Sequence, residues 1–293
     1  MSAAIIVNNV IRRLPANAVG RDFVVGDLHG NIGLLDALMA YVGFDADDRL
    51  FSVGDLVDRG DESHKVLGLL RKPWFHAVRG NHEQMMIDFF RSRTLQYVNN
   101  GFVPRYGDGH HHSFLQNGGS WVIFLDGEEM ADVVDLVTNY VDKLPFIISV
   151  GEGVGRFNVV HAFLDDGTGK ISDSDIDKDR IYLPDQVAGF PCDVLAGDMQ
   201  TWLRRDFRDE GAACMIDGLS PTYCGHTILR LDSEQRIVDG HINLDAGAFK
   251  SCRHDLFGLV MTEPATGRVF VATYGKTEIS VRETAMDPKG RIK

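Results

Sequence analysis

A chain of 293 residues with 44% hydrophobic content is long enough to bury a substantial core, as one large domain or two small ones. Its formal net charge of -12, from 42 acidic against 30 basic residues, argues against nonspecific nucleic-acid binding through the overall field and leaves open only a local basic site. The four cysteines, Cys192, Cys214, Cys224 and Cys252, form no C-x-x-C pair. That spacing supports neither a zinc knuckle nor a disulfide framework and predicts small buried thiols in a reduced, cytoplasmic setting.

At the N-terminus, "MSAAIIVNNVIRR" places its charges after a short apolar run, the reverse of signal-peptide order. No stretch approaches the length of apolar sequence that a membrane span needs, so no membrane partner is expected. Three units then repeat one pattern, a short apolar run that enters a polar cluster and continues as a helix. "RDFVVGDLHG" leads to Leu34, Leu35, Leu38, Met39 and Val42. "RLFSVGDLVDRG" leads to Val66, Leu67, Leu69 and Leu70, and "WFHAVRGNHE" to Met85, Met86, Phe89 and Phe90. Apolar positions at helical spacing behind each cluster predict successive strand–loop–helix units, and hence an α/β fold with the clusters at the carboxyl ends of strands. In open α/β sheets that edge binds ligands.

Beyond residue 96 the pattern loosens into "YVNNGFVPRYGDGHHHSFLQNGG", an excursion rich in Gly and Asn. A helix over about Met130 to Val141 follows, then "LPFIISV" and "RFNVVHAF" as strands. "DDGTGKISDSDIDKDR" reads as an acidic surface loop. "TYCGHTIL", "HINLDAGAF", "LFGLVM" and "RVFVATY" read as consecutive strands of a second, antiparallel-rich sheet. No long linker or repeat interrupts the chain, so one domain over 1–293 is expected.

Collected together, the clusters supply Asp27 and His29, then Asp55, Asp58 and Arg59, then Arg79, Asn81 and His82, with His161 and His226 on later strands. In extended backbone Asp27 and His29 would point to one face. Carboxylate, imidazole and amide oxygen together suit Mn, Fe or Zn rather than a thiolate-seeking ion. So many ligands exceed the needs of one catalytic ion, and a shared carboxylate holds two ions roughly 3.5–4 Å apart, clamping an oxyanion and acidifying a bridging water. Adjacent arginines favour phosphate, whose oxygens a planar guanidinium can take two at a time. The set describes phosphate-ester hydrolysis. Glu83, in the first turn of the third helix, is read as a cap for its unpaired N–H groups.

"GDLHG", "GDLVDRG" and "RGNHE", followed by "VVHA" and "CGHT", resemble the signature motifs of the phosphoprotein phosphatases, within the calcineurin-like metallophosphoesterases. "PWFHAVRGNHEQMMID", the Asn-Gly-Gly before Trp121, and "LPFII" are similar to the bacterial and phage branch of serine/threonine protein phosphatases. The resemblance runs from about residue 20 to residue 250 and rests on five motifs in order. It implies a two-sheet β-sandwich core flanked by helices (core about 20–275), with insertions near 97–117 and 164–185.

By that resemblance Asp27 and His29 bind a first metal, Asp55 bridges, and Asn81, His161 and His226 bind the second. His82 is the general acid, Asp58 orients its ring, and Arg59 grips the phosphoryl oxygens. "TWLRRDF" offers Arg204 as a further phosphate ligand, with Arg205 adjacent, and Arg79 either contacts phosphate or buttresses the site. The implied reaction is attack of a hydroxide bridging two divalent ions, Mn by resemblance with Fe or Zn open, on phosphoserine or phosphothreonine in proteins or peptides. Tyrosine phosphate is a further possible substrate. The alternative is a nucleotide phosphohydrolase of the dinucleoside tetraphosphatase type. That group carries Gln where this chain has His29. A catalytically dead phosphoprotein-binding scaffold would require missing ligands, and none is missing.

Three tempting patterns carry less. The adjacent histidines of "GHHHS" (His110 to His112) cannot all face one ion on a regular element and are read as a solvated loop. "DGTGKI" has Ile171 where a phosphate loop needs Ser or Thr. "DSDIDKDRIYLP" has Lys178 and Pro184 where a calcium loop needs Gly and Glu. The acidic stretch 165–179 retains one expectation, a bias toward basic peptides.

Overall fold

The computed structural model describes residues 11–91, 95–98, 101–104, 109–164, 171–178, 215–232, 235–287 and 290–293, with backbone alone for 95–98, 101–104 and 109–112. Phe23, Val24 and Val25 are all fully buried, so the strand Asp22–Val25 has no solvent face. Its neighbours are equally apolar, with Leu50 and Phe51 fully buried in Arg49–Ser52 and Phe75 and Ala77 nearly so in Phe75–Ala77. Parallel strands buried on both faces read as continuous hydrophobic runs rather than as an alternation.

These three strands are parallel, in the register Val24↔Phe51↔His76. They form one half of a six-stranded sheet. The order is Ile279–Thr284, Arg268–Tyr274, Leu259–Glu263, Asp22–Val25, Arg49–Ser52 and Phe75–Ala77, with the first three strands antiparallel to their neighbours. The second six-stranded sheet runs Ile11–Leu14, Ile147–Val150, Phe157–Val160, Thr222–Cys224, His241–Asn243 and Ile237–Val238. Phe157–Val160, Thr222–Cys224 and His241–Asn243 are parallel.

Pleating sorts the side chains between layers. Val24, Phe51, Val53 and Val78 meet Ile148, Val150, Phe157 and Val159 of the other sheet in one apolar cluster. Phe23, Val25, Leu50 and Ala77 point the opposite way, onto Leu34, Leu35, Leu38, Met86 and Phe89 of the helices Ile32–Val42 and Asn81–Arg91. A third cluster covers the outer face of the second sheet. The expected α/β sandwich with flanking helices is the observed one.

Several local expectations change. The C-terminal strands Leu259–Glu263, Arg268–Tyr274 and Ile279–Thr284 do not build a sheet of their own; they extend the sheet that carries the first three motifs. Strand partners are chosen by burial across the fold, not by closeness in sequence. His241–Asn243 joins the other sheet instead. Ile11–Leu14, unmarked in the sequence reading, is an edge strand paired parallel with Ile147–Val150. The Gly- and Asn-rich excursion contains a hairpin, Leu95–Val98 with Gly101–Pro104, and "GHHHS" opens a helix, Gly109–Gln116, rather than a loop.

Part of the acidic stretch is likewise a short helix, Asp173–Asp177, with its carboxylates engaged. Asp173 accepts from Ser220 and Asn158, Asp175 caps at Ser172, and Asp177 pairs with Arg156. Cys224 is buried as expected but Cys252 is exposed. Cys192, Cys214 and Arg204 lie outside the described residues, as do the side chains of His110 to His112. Among the described residues no helix is long and apolar enough to cross a membrane.

Candidate metal centre and active site

The in-register parallel strands deliver Asp27, Asp55 and Asn81 just past their carboxyl ends, and the second sheet delivers His161 and His226 from the ends of Phe157–Val160 and Thr222–Cys224. The backbone there is far from regular. Six non-glycine residues have positive φ among the described residues, and five are motif residues: His29 (43°), Asp55 (49°), Asp58 (72°), Arg59 (68°) and His226 (67°). Such residues cost about 1–3 kcal/mol each and persist where surrounding structure holds them. The direction of His29 is therefore set not by the pleat but by a left-handed turn, fixed by the His29 N–H donating to the Asp55 carbonyl at 2.8 Å.

Asp55 is the hub. Its Oδ1 lies 3.3 Å from His161 Nε2, while its Oδ2 lies 3.6 Å from His29 Nε2 and 3.8 Å from His82 Nε2. The two carboxylate oxygens thus face different imidazole groups. Two sets of ligand atoms, His29/Asp55/His82 and Asp55/His161/His226, each lie within 4.8 Å of one another and share Asp55. Asn81 Oδ1 joins the second set, 2.9 Å from His161 Nε2 and 3.0 Å from His226 Nδ1. Asp27 falls outside both three-residue sets. Its carboxylate is nevertheless buried in the same site and accepts the His226 backbone N–H at 3.1 Å. A Cβ on Gly225 would stand 1.9 Å from Asp27 Oδ1, which explains why "CGHT" needs glycine before the histidine.

His82 sits apart in its bonding. Its Nδ1 is 2.6 Å from Asp58 Oδ2, and the other Asp58 oxygen accepts from Trp121 Nε1 at 2.8 Å. Arg59 holds its guanidinium 4.9 Å over the Phe249 ring, with Nη1 2.8 Å from His29 Nε2. Arg79 is 7% exposed, donates to Gln84 and to the Asp142 carbonyl, and lies over Phe146. Of the two roles open to Arg79, those contacts fit the buttress.

A family model described as calcineurin-like phosphoesterase matches residues 23–242. The chain belongs to that family. Serine/threonine-protein phosphatase 2 of Escherichia coli (strain K12) is 36% identical over 141 residues, 48% of this chain and 57% of that protein. A symmetrical bis(5'-nucleosyl)-tetraphosphatase of Hamiltonella defensa is 42% identical over 65 residues, 21% of this chain and 24% of that protein. The chain thus spans about half the length, or less, of these curated relatives. A protein serine/threonine phosphatase from Saccharomyces cerevisiae aligns over 95% of this chain and 84% of its own, with TM-score 0.51 and 16% identity, a likeness of fold.

Members of the calcineurin-like family bind divalent metal ions, and the donor set here fits them. Asp27, Asp55, Glu83 and Asp245 are all nearly or fully buried. Burial, with Asp245 and Asp55 beside it, pushes the Asp27 carboxyl well above its ordinary range. Burial also pushes Glu83 up to about 7 and Asp245 up to about 6. Burial acts on Asp55 in the same sense, but His161, His82, His29 and His226, in their protonated forms, outweigh it and hold that carboxyl below its ordinary range. Burial, then neighbouring His82, keeps His29 neutral, and burial keeps His161 neutral. Crowded carboxylates and neutral imidazoles are what cations in this space would bind.

Three supports escaped the sequence reading. Glu83 does more than cap its helix: besides Gly80 N–H it accepts from Asp55 and Leu56 N–H, at 2.8–2.9 Å. Arg236, fully buried, donates to the carbonyls of Leu229, Arg230, Asn243 and Asp245, tying the His226 loop to the Asp245 loop. Asp245 itself was passed over inside a strand-like run. Its signal was present, since "NLDAG" places a carboxylate and a glycine after an apolar segment, as "VVGDLHG" and "SVGDLVDRG" do.

Proposed function

We propose that this chain is a metal-dependent phosphomonoester hydrolase acting on phosphoserine and phosphothreonine in proteins. One observation carries the reading: the two oxygens of Asp55 face two separate imidazole sets. In this reading Asp27, His29 and Asp55 hold one divalent ion and Asp55, Asn81, His161 and His226 hold another, manganese being the favoured metal. Two such ions, when bound, would supply an acidified water as nucleophile and neutralise phosphoryl charge.

The protein's own groups do the rest. Arg59, steadied on Phe249, binds phosphoryl oxygens and sets the in-line orientation. Asp58 holds His82 by Nδ1 and leaves Nε2 to give a proton to the leaving oxygen. Burial works against a charged His82 ring, but Asp55 and Asp58 outweigh it, raise the pKa and favour the protonated form. Arg79 supports the loop that carries Asn81. Arg204 is proposed as a second phosphate ligand on the sequence resemblance alone.

A second reading, hydrolysis of dinucleoside polyphosphates, is favoured by the 42% identity over 65 residues to a tetraphosphatase; His29, at a position where that group carries Gln, opposes it. Purified protein supplied with manganese should hydrolyse phosphoserine and phosphothreonine peptides with higher kcat/KM than diadenosine tetraphosphate. The reverse ranking would move the chain to the second reading.

A further inference from the structure

We infer that Trp121 is a positioning residue for the acid step: its indole N–H locks the Asp58 carboxylate that orients His82. The inference deepens the proposed hydrolase and rests on it. Asp58 and Arg59 are consecutive left-handed residues, φ 72° and 68°, an arrangement that costs about 1–3 kcal/mol per residue and persists where surrounding structure holds it. The pair turns Asp58 inward to His82 while Arg59 turns toward Phe249. Ser63 Oγ accepts the Asp58 backbone N–H at 2.9 Å, which fixes the main chain and leaves the carboxylate rotation open.

Trp121 closes that freedom. Its Nε1–H donates to Asp58 Oδ1 at 2.8 Å, so Oδ2 is left to face His82 Nδ1 at 2.6 Å. Asp58 and His82 are fully buried, where a hydrogen bond to a charged acceptor is strong and directional. The segment that carries Trp121, Gly119–Phe124, is seated directly on the same turn: a Cβ on Gly118 would lie 2.8 Å from the Arg59 backbone nitrogen. Trp121 thus reads the position of the Asp58–Arg59 turn from outside the motif. An indole has a donor and no acceptor, so Trp121 binds an acceptor oxygen of Asp58, and that bond is strongest when Asp58 is the carboxylate that also accepts from His82.

Two measurements test this. In metal-free protein labelled at tryptophan, the Trp121 indole proton should resonate downfield and exchange slowly with water, and Asp58→Asn should move it upfield. An indole proton at its free position and in fast exchange overturns the inference, whatever the catalytic outcome. In kinetics, Trp121→Phe keeps the ring and removes the donor. With manganese it should lower kcat about tenfold on a phosphoserine peptide, less than about twofold on an aryl phosphate with a good leaving group, and leave KM within about twofold. Equal losses on both substrates, or no loss, would make Trp121 merely a packing residue. Should the variant not fold, the wild-type indole line, assigned through Asp58→Asn, still decides. A wild-type chain lacking phosphomonoesterase activity while keeping the shifted indole line overturns the hydrolase reading and, with it, the acid step; the hydrogen bond alone survives.

Discussion

Glu83 Oε2 accepts the Asp55 backbone N–H at 2.9 Å although the residues are 28 positions apart. The same carboxylate takes the N–H groups of Leu56 and Gly80. The helix that carries Asn81 and His82 is thereby clamped to the turn that carries Asp55, and two units of the fold share one buried anchor. Glu83→Ala leaves three buried donors without acceptors, each costing about 1–3 kcal/mol. A stability loss of at least about 3 kcal/mol by urea unfolding is expected, with weaker manganese binding by calorimetry. Glu83→Gln, which keeps an acceptor oxygen, should lose less.

His82→Asn should retain metal binding and lose activity by about 10²–10⁴-fold on alkyl phosphate esters, with a smaller loss on aryl esters. Aryl leaving groups need less protonation. Steady-state rates on matched substrates check this; equal losses would count against proton donation by His82.

Asp55→Asn removes the charge that both imidazole sets face. Manganese affinity should fall at least about tenfold and turnover of p-nitrophenyl phosphate at least about 10²-fold, as chelation of the wild type should also show. Isothermal titration and initial rates report the two effects separately. A variant that still binds two ions at wild-type strength would end the shared-carboxylate reading.

His76 gives a pH signature remote from the metal ligands. Its ring stacks on Phe51 at 5.1 Å, and burial, aided by Arg12 and Arg49, pushes its pKa down to about 4 from 6.5. Below pH 6.5 the unfolded chain therefore binds a proton that the folded chain refuses until about pH 4. The stabilisation is complete above pH 6.5 and is lost as pH falls through that window. Buried His29 and His161 act in the same sense, so the test is a difference: His76→Phe should flatten the decline of the urea midpoint between pH 7 and pH 4.5. An unchanged slope would refute it.

Much of this site was legible because its information is local. Gly-Asp pairs closing the apolar runs Phe23–Val25 and Leu50–Val53, and Arg-Gly-Asn-His-Glu closing Phe75–Val78, mark strand ends directly. The three-dimensional parts were not. No sequence signal marks His29, Asp55, Asp58, Arg59 and His226 as left-handed, since the residue types are ordinary and the restraint is tertiary. Trp121 reaches Asp58 across 63 positions, and Asp27 meets the His226 backbone across 199. The C-terminal strands looked like a new sheet because periodicity reports a strand and says nothing of its partner. Residue type left Arg79 open between anion ligand and buttress, because the partners of its terminal nitrogens, Gln84 and the Asp142 carbonyl, are set by tertiary structure.

Asp27, Asp55 and Asn81 hang from one sheet, and His161 and His226 from the other. The candidate site is therefore a gauge of alignment between two slabs joined by apolar packing and by a few hydrogen bonds at their shared edge, among them His226 N–H to the Asp27 carboxylate and His161 Nδ1 to the Val53 carbonyl. A slip too small to register as lost strand content would already pull the imidazoles off the carboxylate. Turnover should vanish at a milder dose of denaturant than circular dichroism does, making the chain its own strain sensor.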